Sequence, residues 1–151
     1  MRRTGPLDLA VPLVVVGAIA YGLLHISYDS LPTLGYFAPV PLVALALVEF
    51  VAARRVRAAV RHEPQARPMA AIVIARCVAL GKASSLAGAA LAGAACALLA
   101  RVLPDAGTVS AAAHDSRAGA FLLAACMLVV VAGLVLERAG IDPGRDGSDR
   151  R

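Results

Sequence analysis

Apolar residues run almost without interruption through four stretches of the chain, Leu7 to Ile26, Leu34 to Ala53, Val78 to Ala100 and Gly119 to Leu136, and polar residues gather between them. A hydrocarbon layer of roughly 30 Å is crossed by about twenty apolar residues in helical form. Each stretch meets or approaches that length, so the pattern predicts an all-α bundle of four transmembrane helices. The polar gaps are unequal. The segment between the second and third stretches carries Arg54, Arg55, Arg57, Arg61, Arg67 and Arg76 against the single acid Glu63, whereas residues Ser27 to Thr33 hold no basic side chain.

Short loops rich in Lys and Arg stay on the cytoplasmic side during insertion. Arg2 and Arg3 precede the first stretch, and Arg138, Arg145, Arg150 and Arg151 follow the fourth; the outer segment from Pro104 to Ala118 has only Arg117, with Arg101 at its edge. Both termini are therefore expected in the cytoplasm, with residues 54–76 as a basic cytoplasmic loop, residues 1–139 as one membrane domain in the cell membrane, and residues 140–151 as a disordered tail. Arg2 and Arg3 also resemble the start of a signal peptide. The apolar run after them is too long, and His25-Ile-Ser-Tyr-Asp-Ser offers no small-residue cleavage site, so the segment is expected to remain as the first helix.

Composition agrees with this reading. Sixty per cent of the 151 residues are hydrophobic and 17% charged, with a mean hydropathy of +0.76, values beyond those of soluble domains. The net charge of +5 lies beside membrane segments rather than on an aromatic-rich surface, which argues against nucleic acid as a partner. The lipid bilayer is the expected partner, with anionic headgroups attracted to Arg54, Arg55, Arg57, Arg61 and Arg67. Cys77, Cys96 and Cys126 are widely spaced single thiols, without a metal or disulfide pattern.

Prolines and small residues add local detail. Pro12 falls near the inner end of the first helix, and Pro39 and Pro41 predict a bend in the outer third of the second. Tyr28, Tyr36 and Phe37 suggest a weak interfacial anchor there. The second helix is expected to continue through its arginines until Pro64 and Pro68, and the third to begin near Met69. Along the third, Gly81, Ser85, Gly88 and Ala92 occupy one face, a stripe that lets another helix approach closely, either within the chain or in a second subunit.

Two polar groupings are candidates for chemistry. Glu49 in the second helix and Lys82 in the third lie at similar depths from the cytoplasmic side, so a structural ion pair is geometrically accessible, with Arg76 competing for the carboxylate; snorkelling to the interface is the alternative. On the outer side, His25, Asp29, Asp105, His114 and Asp115 would need to converge to bind a metal or exchange protons. Solvated loops and a helix N-cap at Asp115 or Ser116 account for most of them. HExxH, GxSxG and phosphate-loop motifs are absent, so neither an enzyme nor a cofactor is expected.

Three stretches carry a resemblance: Ala75-Arg-Cys-Val-Ala-Leu-Gly-Lys-Ala-Ser-Ser-Leu-Ala-Gly, Ala113-His-Asp-Ser-Arg-Ala-Gly and Leu136-Glu-Arg. They resemble the actinobacterial membrane family named domain of unknown function 3180, whose spacing of Arg76 and Lys82 is the most specific element. The resemblance extends over almost the whole chain and implies four membrane helices without an established activity. Family members are often encoded near folate-biosynthesis genes, which indicates a process rather than a reaction. Gly81 departs from the more usual alanine, and Gly140 lacks a neighbouring aromatic or cysteine.

Two functional classes follow. One is a non-enzymatic membrane component or interaction subunit; the other is a small transporter or channel subunit assembled as a homo-oligomer. Small multidrug exporters also have four helices, but they rely on a deep carboxylate in the first, and none stands between Asp8 and Asp29 here.

Overall fold

The computed structural model describes residues 4–27, 35, 37–61, 68–107 and 109–141. Within them are four α-helices and no strand: α1 (Pro6–Ser27), α2 (Val40–Val60), α3 (Ala71–Val102) and α4 (Ser110–Ala139), with a short 3-10 turn at Leu103–Asp105. Arg2, Arg3, Tyr28, Asp29, Tyr36, Pro64, Arg67 and the tail from residue 142 lie outside the described residues.

The start of α1 follows from Thr4-Gly-Pro-Leu-Asp. Pro6 takes the first helical position, where its missing N–H is harmless, and the Asp8 carboxylate accepts the Gly5 N–H at 2.9 Å, half of a capping box. The start of α2 departs from expectation. Residues 37–39 form a turn, Pro39 occupies the N-cap position, and Pro41 falls in the first helical turn. Both prolines therefore begin the helix instead of bending it, and the helix starts six residues after Leu34, where the apolar stretch begins. A backbone N–H in the first turn has no intrahelical acceptor, so proline, which lacks one, costs least here.

The fourth helix departs in the other direction. It begins at Ser110, nine residues before Gly119, with Val109 at the N-cap position. Asp115 and Ser116 are thus inside the helix, not capping it, and the Ser116 hydroxyl donates to the Ala113 carbonyl at 2.9 Å. Ala111, Ala112 and Ala113 are strong helix formers and carry the helix outward past the apolar window.

Three helices are long and apolar enough to cross a membrane: α1, α3 and α4. At 1.5 Å per residue the 22 residues of α1 extend about 33 Å. The apolar part of α2, Val40 to Ala53, is shorter, because arginines at 54, 55 and 57 charge its last turns. Small residues lie inside the bundle and large ones outside. Eleven of the nineteen buried hydrophobic residues are alanine, while Val11, Ile19, Leu47, Leu91, Phe121 and Met127 are exposed. A water-soluble core would show the reverse. Lipid solvates the large side chains, and close helix packing selects the small ones.

Contacts order the helices as α1, α3, α4, α2, with α1 and α2 on opposite edges of the central α3–α4 hairpin. Gly17 of α1 meets Gly93 of α3, where a methyl group on Gly93 would run into the Leu13 carbonyl. On the other side, Ala46 packs with Val129 and Ala132, and Ala53 and Val56 pack with Leu136 and Ala139. The same sequence offset of 83 relates 46 to 129, 53 to 136 and 56 to 139. Helices α2 and α4 therefore run parallel in one register.

Candidate functional site

The candidate site is the junction of α2, α3 and α4 around Glu49. The buried positions of α2 are Ala46, Glu49, Ala53 and Val56, spaced three, four and three residues apart. Val129, Ala132, Leu136 and Ala139 of α4 repeat that spacing and are also buried. Alternating steps of three and four are the a/d signature of helices that interlock along a seam. Glu49 thus occupies a seam position between two apolar clusters, matched by the register to Ala132.

The adjoining α3–α4 contact is unusually close. A methyl group on Gly81 would lie 2.6 Å from the Gly133 carbonyl oxygen, and one on Gly133 would lie 2.5 Å from the Gly81 carbonyl oxygen and 2.9 Å from the Ser85 nitrogen. The two backbones are in contact, with no room for a side chain. Gly88 is also tight, its missing methyl 3.0 Å from Val130. Ser85 and Ala92 of the same stripe are fully buried. Gly81 and Gly88 therefore direct the stripe toward α4 of the same chain.

Glu49 is completely buried, 0% exposed, and neither of its carboxylate oxygens has a hydrogen-bond partner. Placing an unpaired ionised acid within a helix at membrane depth costs about 3 kcal/mol on insertion scales. The Ser84 hydroxyl stands beside the carboxyl. Its hydrogen is directed to the carbonyls of Leu80 at 2.9 Å and Gly81 at 3.3 Å. The expected pairing with Lys82 is not made as a hydrogen bond, and Arg76 does not supply one either. Lys82 is half-buried with contacts of its own, while Arg76 is exposed.

A second buried acid was marked in the sequence only by the Leu136-Glu-Arg motif. Glu137 near the end of α4 is 4% exposed and accepts the Thr4 N–H at 2.8 Å and the Thr4 hydroxyl at 2.5 Å. The entry to α1 is thereby tied to the end of α4, across the intervening α3. The contrast with Glu49 is plain: one buried carboxylate has two donors, the other none.

The remaining candidates fall on α1, α2, α4 and the turn after α3. Arg54, Arg55, Arg57 and Arg61 are exposed along the end of α2. His25 stacks on Tyr21, the ring centroids 6.4 Å apart, and Asp115 is buried in α4. Arg101 pairs with Asp105 at 3.2 Å. Among the described residues no three His, Cys, Asp or Glu side chains form a metal-sized group; Asp29 lies outside them. Cys77, Cys96 and Cys126 are free thiols.

Three membrane-length helices, small residues inside and large apolar residues outside define a helical membrane protein. The family described as protein of unknown function (DUF3180) matches residues 9–143, and the chain belongs to that family. No curated protein and no solved structure matches it.

Proposed function

We propose that the protein is a non-enzymatic four-span component of the cell membrane, with both termini in the cytoplasm, that acts through contact with another membrane protein. The observation that carries this reading is the use of the bundle interior. The inner faces of α3 are occupied by close helix contact at Gly81, Gly88 and Gly93, and the outward faces of the two edge helices present apolar side chains such as Val11, Ile19, Leu47 and Val51. Partners dock on such flanks within a bilayer by close packing.

The α2–α4 seam supports a fourth span beside the three membrane-length helices, since a helix packed in register along a membrane-length neighbour would enter the bilayer with it. Exposed arginines at 54, 55, 57 and 61 support a cytoplasmic end for α2 and attract anionic lipid there. The test is the native mass of the gently solubilised protein with its co-purifying chains. A stoichiometric foreign membrane protein is expected. A symmetric homo-oligomer without a partner would overturn the reading in favour of a transporter or channel subunit, the alternative to which the unpartnered Glu49 carboxyl lends weight.

A further inference from the structure

We propose that Glu49 is a proton-binding site, its carboxyl standing as the neutral acid in the α2–α4 seam beside Ser84 of α3. An ionised carboxylate has only acceptor atoms and requires donors. Both oxygens of Glu49 are buried and neither receives a hydrogen bond, the Ser84 hydroxyl being the one polar side chain known beside them. The neutral acid needs instead one acceptor for its O–H. Ser84 can accept it, because its hydroxyl has acceptors of its own in the Leu80 carbonyl at 2.9 Å and the Gly81 carbonyl at 3.3 Å, and its lone pairs are then open to the acid.

The surroundings favour the same occupant. Ala46, Ala53 and Val56 flank Glu49 on α2, and Val129, Ala132 and Leu136 line the facing seam, all buried. The charged groups on the helices packed against it are Arg76, Lys82 and Arg101 on α3 and His114, Asp115, Arg117, Glu137 and Arg138 on α4, with Arg54, Arg55 and Arg57 further along its own helix. None hydrogen-bonds the carboxyl, and the oxygens of Glu137 are engaged by Thr4. A proton taken from the aqueous phase neutralises the acid without requiring a cavity for a larger ion. Its loss would place a bare charge in the seam and loosen α2 from the α3–α4 hairpin.

Infrared spectroscopy of the full chain in lipid vesicles at neutral pH tests this. The chain has three glutamates, Glu49, Glu63 and Glu137, so glutamate carrying a carbon-13 carboxyl isolates their bands. The expected result is a protonated-carboxyl C=O stretch that shifts in deuterated water, disappears in Glu49→Gln, and persists in Lys82→Met. Absence of that band from the labelled wild-type protein would overturn the proposal whether or not the variants fold. Appearance of the band only in Lys82→Met would also overturn it, assigning Glu49 to an ion pair with Lys82.

Discussion

The two interfaces made by α4 differ in kind. Toward α3 it presents Gly133, and backbone meets backbone so closely that a single methyl group on either side would overlap the other helix. Toward α2 it presents Val129, Ala132, Leu136 and Ala139, a side-chain seam into which α2 inserts a glutamate. The first contact is specified by shape alone. The second tolerates a polar group, and a polar group at one seam position fixes register because every slipped alignment would move it against a different neighbour. Shape sets the hairpin, and chemistry sets where α2 joins it.

The sharpest break in this comparison is Gly133→Leu. A side chain there must displace the α3 backbone at Gly81, where the methyl position alone is 2.5 Å from the carbonyl oxygen. Overpacking of this sort costs roughly 3 kcal/mol or more where only backbone can yield. Thermal unfolding in detergent should show a lost or strongly lowered transition. A transition near that of the wild type would mean that the helices do not touch at Gly81.

The seam should respond more gently and with chemical selectivity. Glu49→Ala empties the position and should destabilise by about 2 kcal/mol, whereas Glu49→Gln, close in shape to the neutral acid, should cost clearly less. Equal losses in the same unfolding assay would contradict a seam that accommodates an uncharged carboxyl.

Smaller again is the link between the ends. Thr4→Val removes the hydroxyl donor to Glu137 and leaves the N–H donor, which should cost about 1 kcal/mol locally, the central value for one hydrogen bond. Amide exchange should accelerate in the first turns of α1 while the α3–α4 hairpin remains protected. The smallest effect is expected for Arg101→Ala, since its 3.2 Å contact with Asp105 joins the end of α3 to the following 3-10 turn and is partly exposed on both sides, worth about 0.5 kcal/mol. A change of several degrees in the unfolding midpoint would assign Arg101 a larger part in the packing of α3 on its neighbours.

Much of this architecture is legible in the residue pattern. Unbroken apolar runs reveal α1, α3 and α4, because membrane insertion depends on the same summed hydrophobicity. The Gly81, Ser85, Gly88, Ala92 stripe is also visible, although its partner is not, since small residues permit approach without naming the neighbour. The limits of α2 and α4 are harder to read. A hydropathy window counts residues before Val40 as helical although Pro39 and Pro41 begin the helix, and it overlooks the polar first turns of α4 around His114 and Asp115.

The site is legible in part. Glu49 stands out as an acid in an apolar run, but depth along the helix, which suggested Lys82 as its partner, does not reveal the seam position that the register matches to Ala132. Positions 46, 49, 53 and 56 carry the three-four-three spacing that could have revealed this. Glu137 is harder, because its partner Thr4 lies 133 residues away and neither residue has a local pattern that points to the other.

Disulfide mapping in native membranes would test the helix order most directly, using a chain in which Cys77, Cys96 and Cys126 are replaced by alanine. Rapid cross-linking is expected of Ala46→Cys with Val129→Cys, which joins α2 to α4, and none between Ala46→Cys and Ala20→Cys, because α3 and α4 separate α1 from α2. Efficient cross-linking of position 20 to position 46, with little between 46 and 129, would contradict the order α1, α3, α4, α2 and remove the seam that holds Glu49.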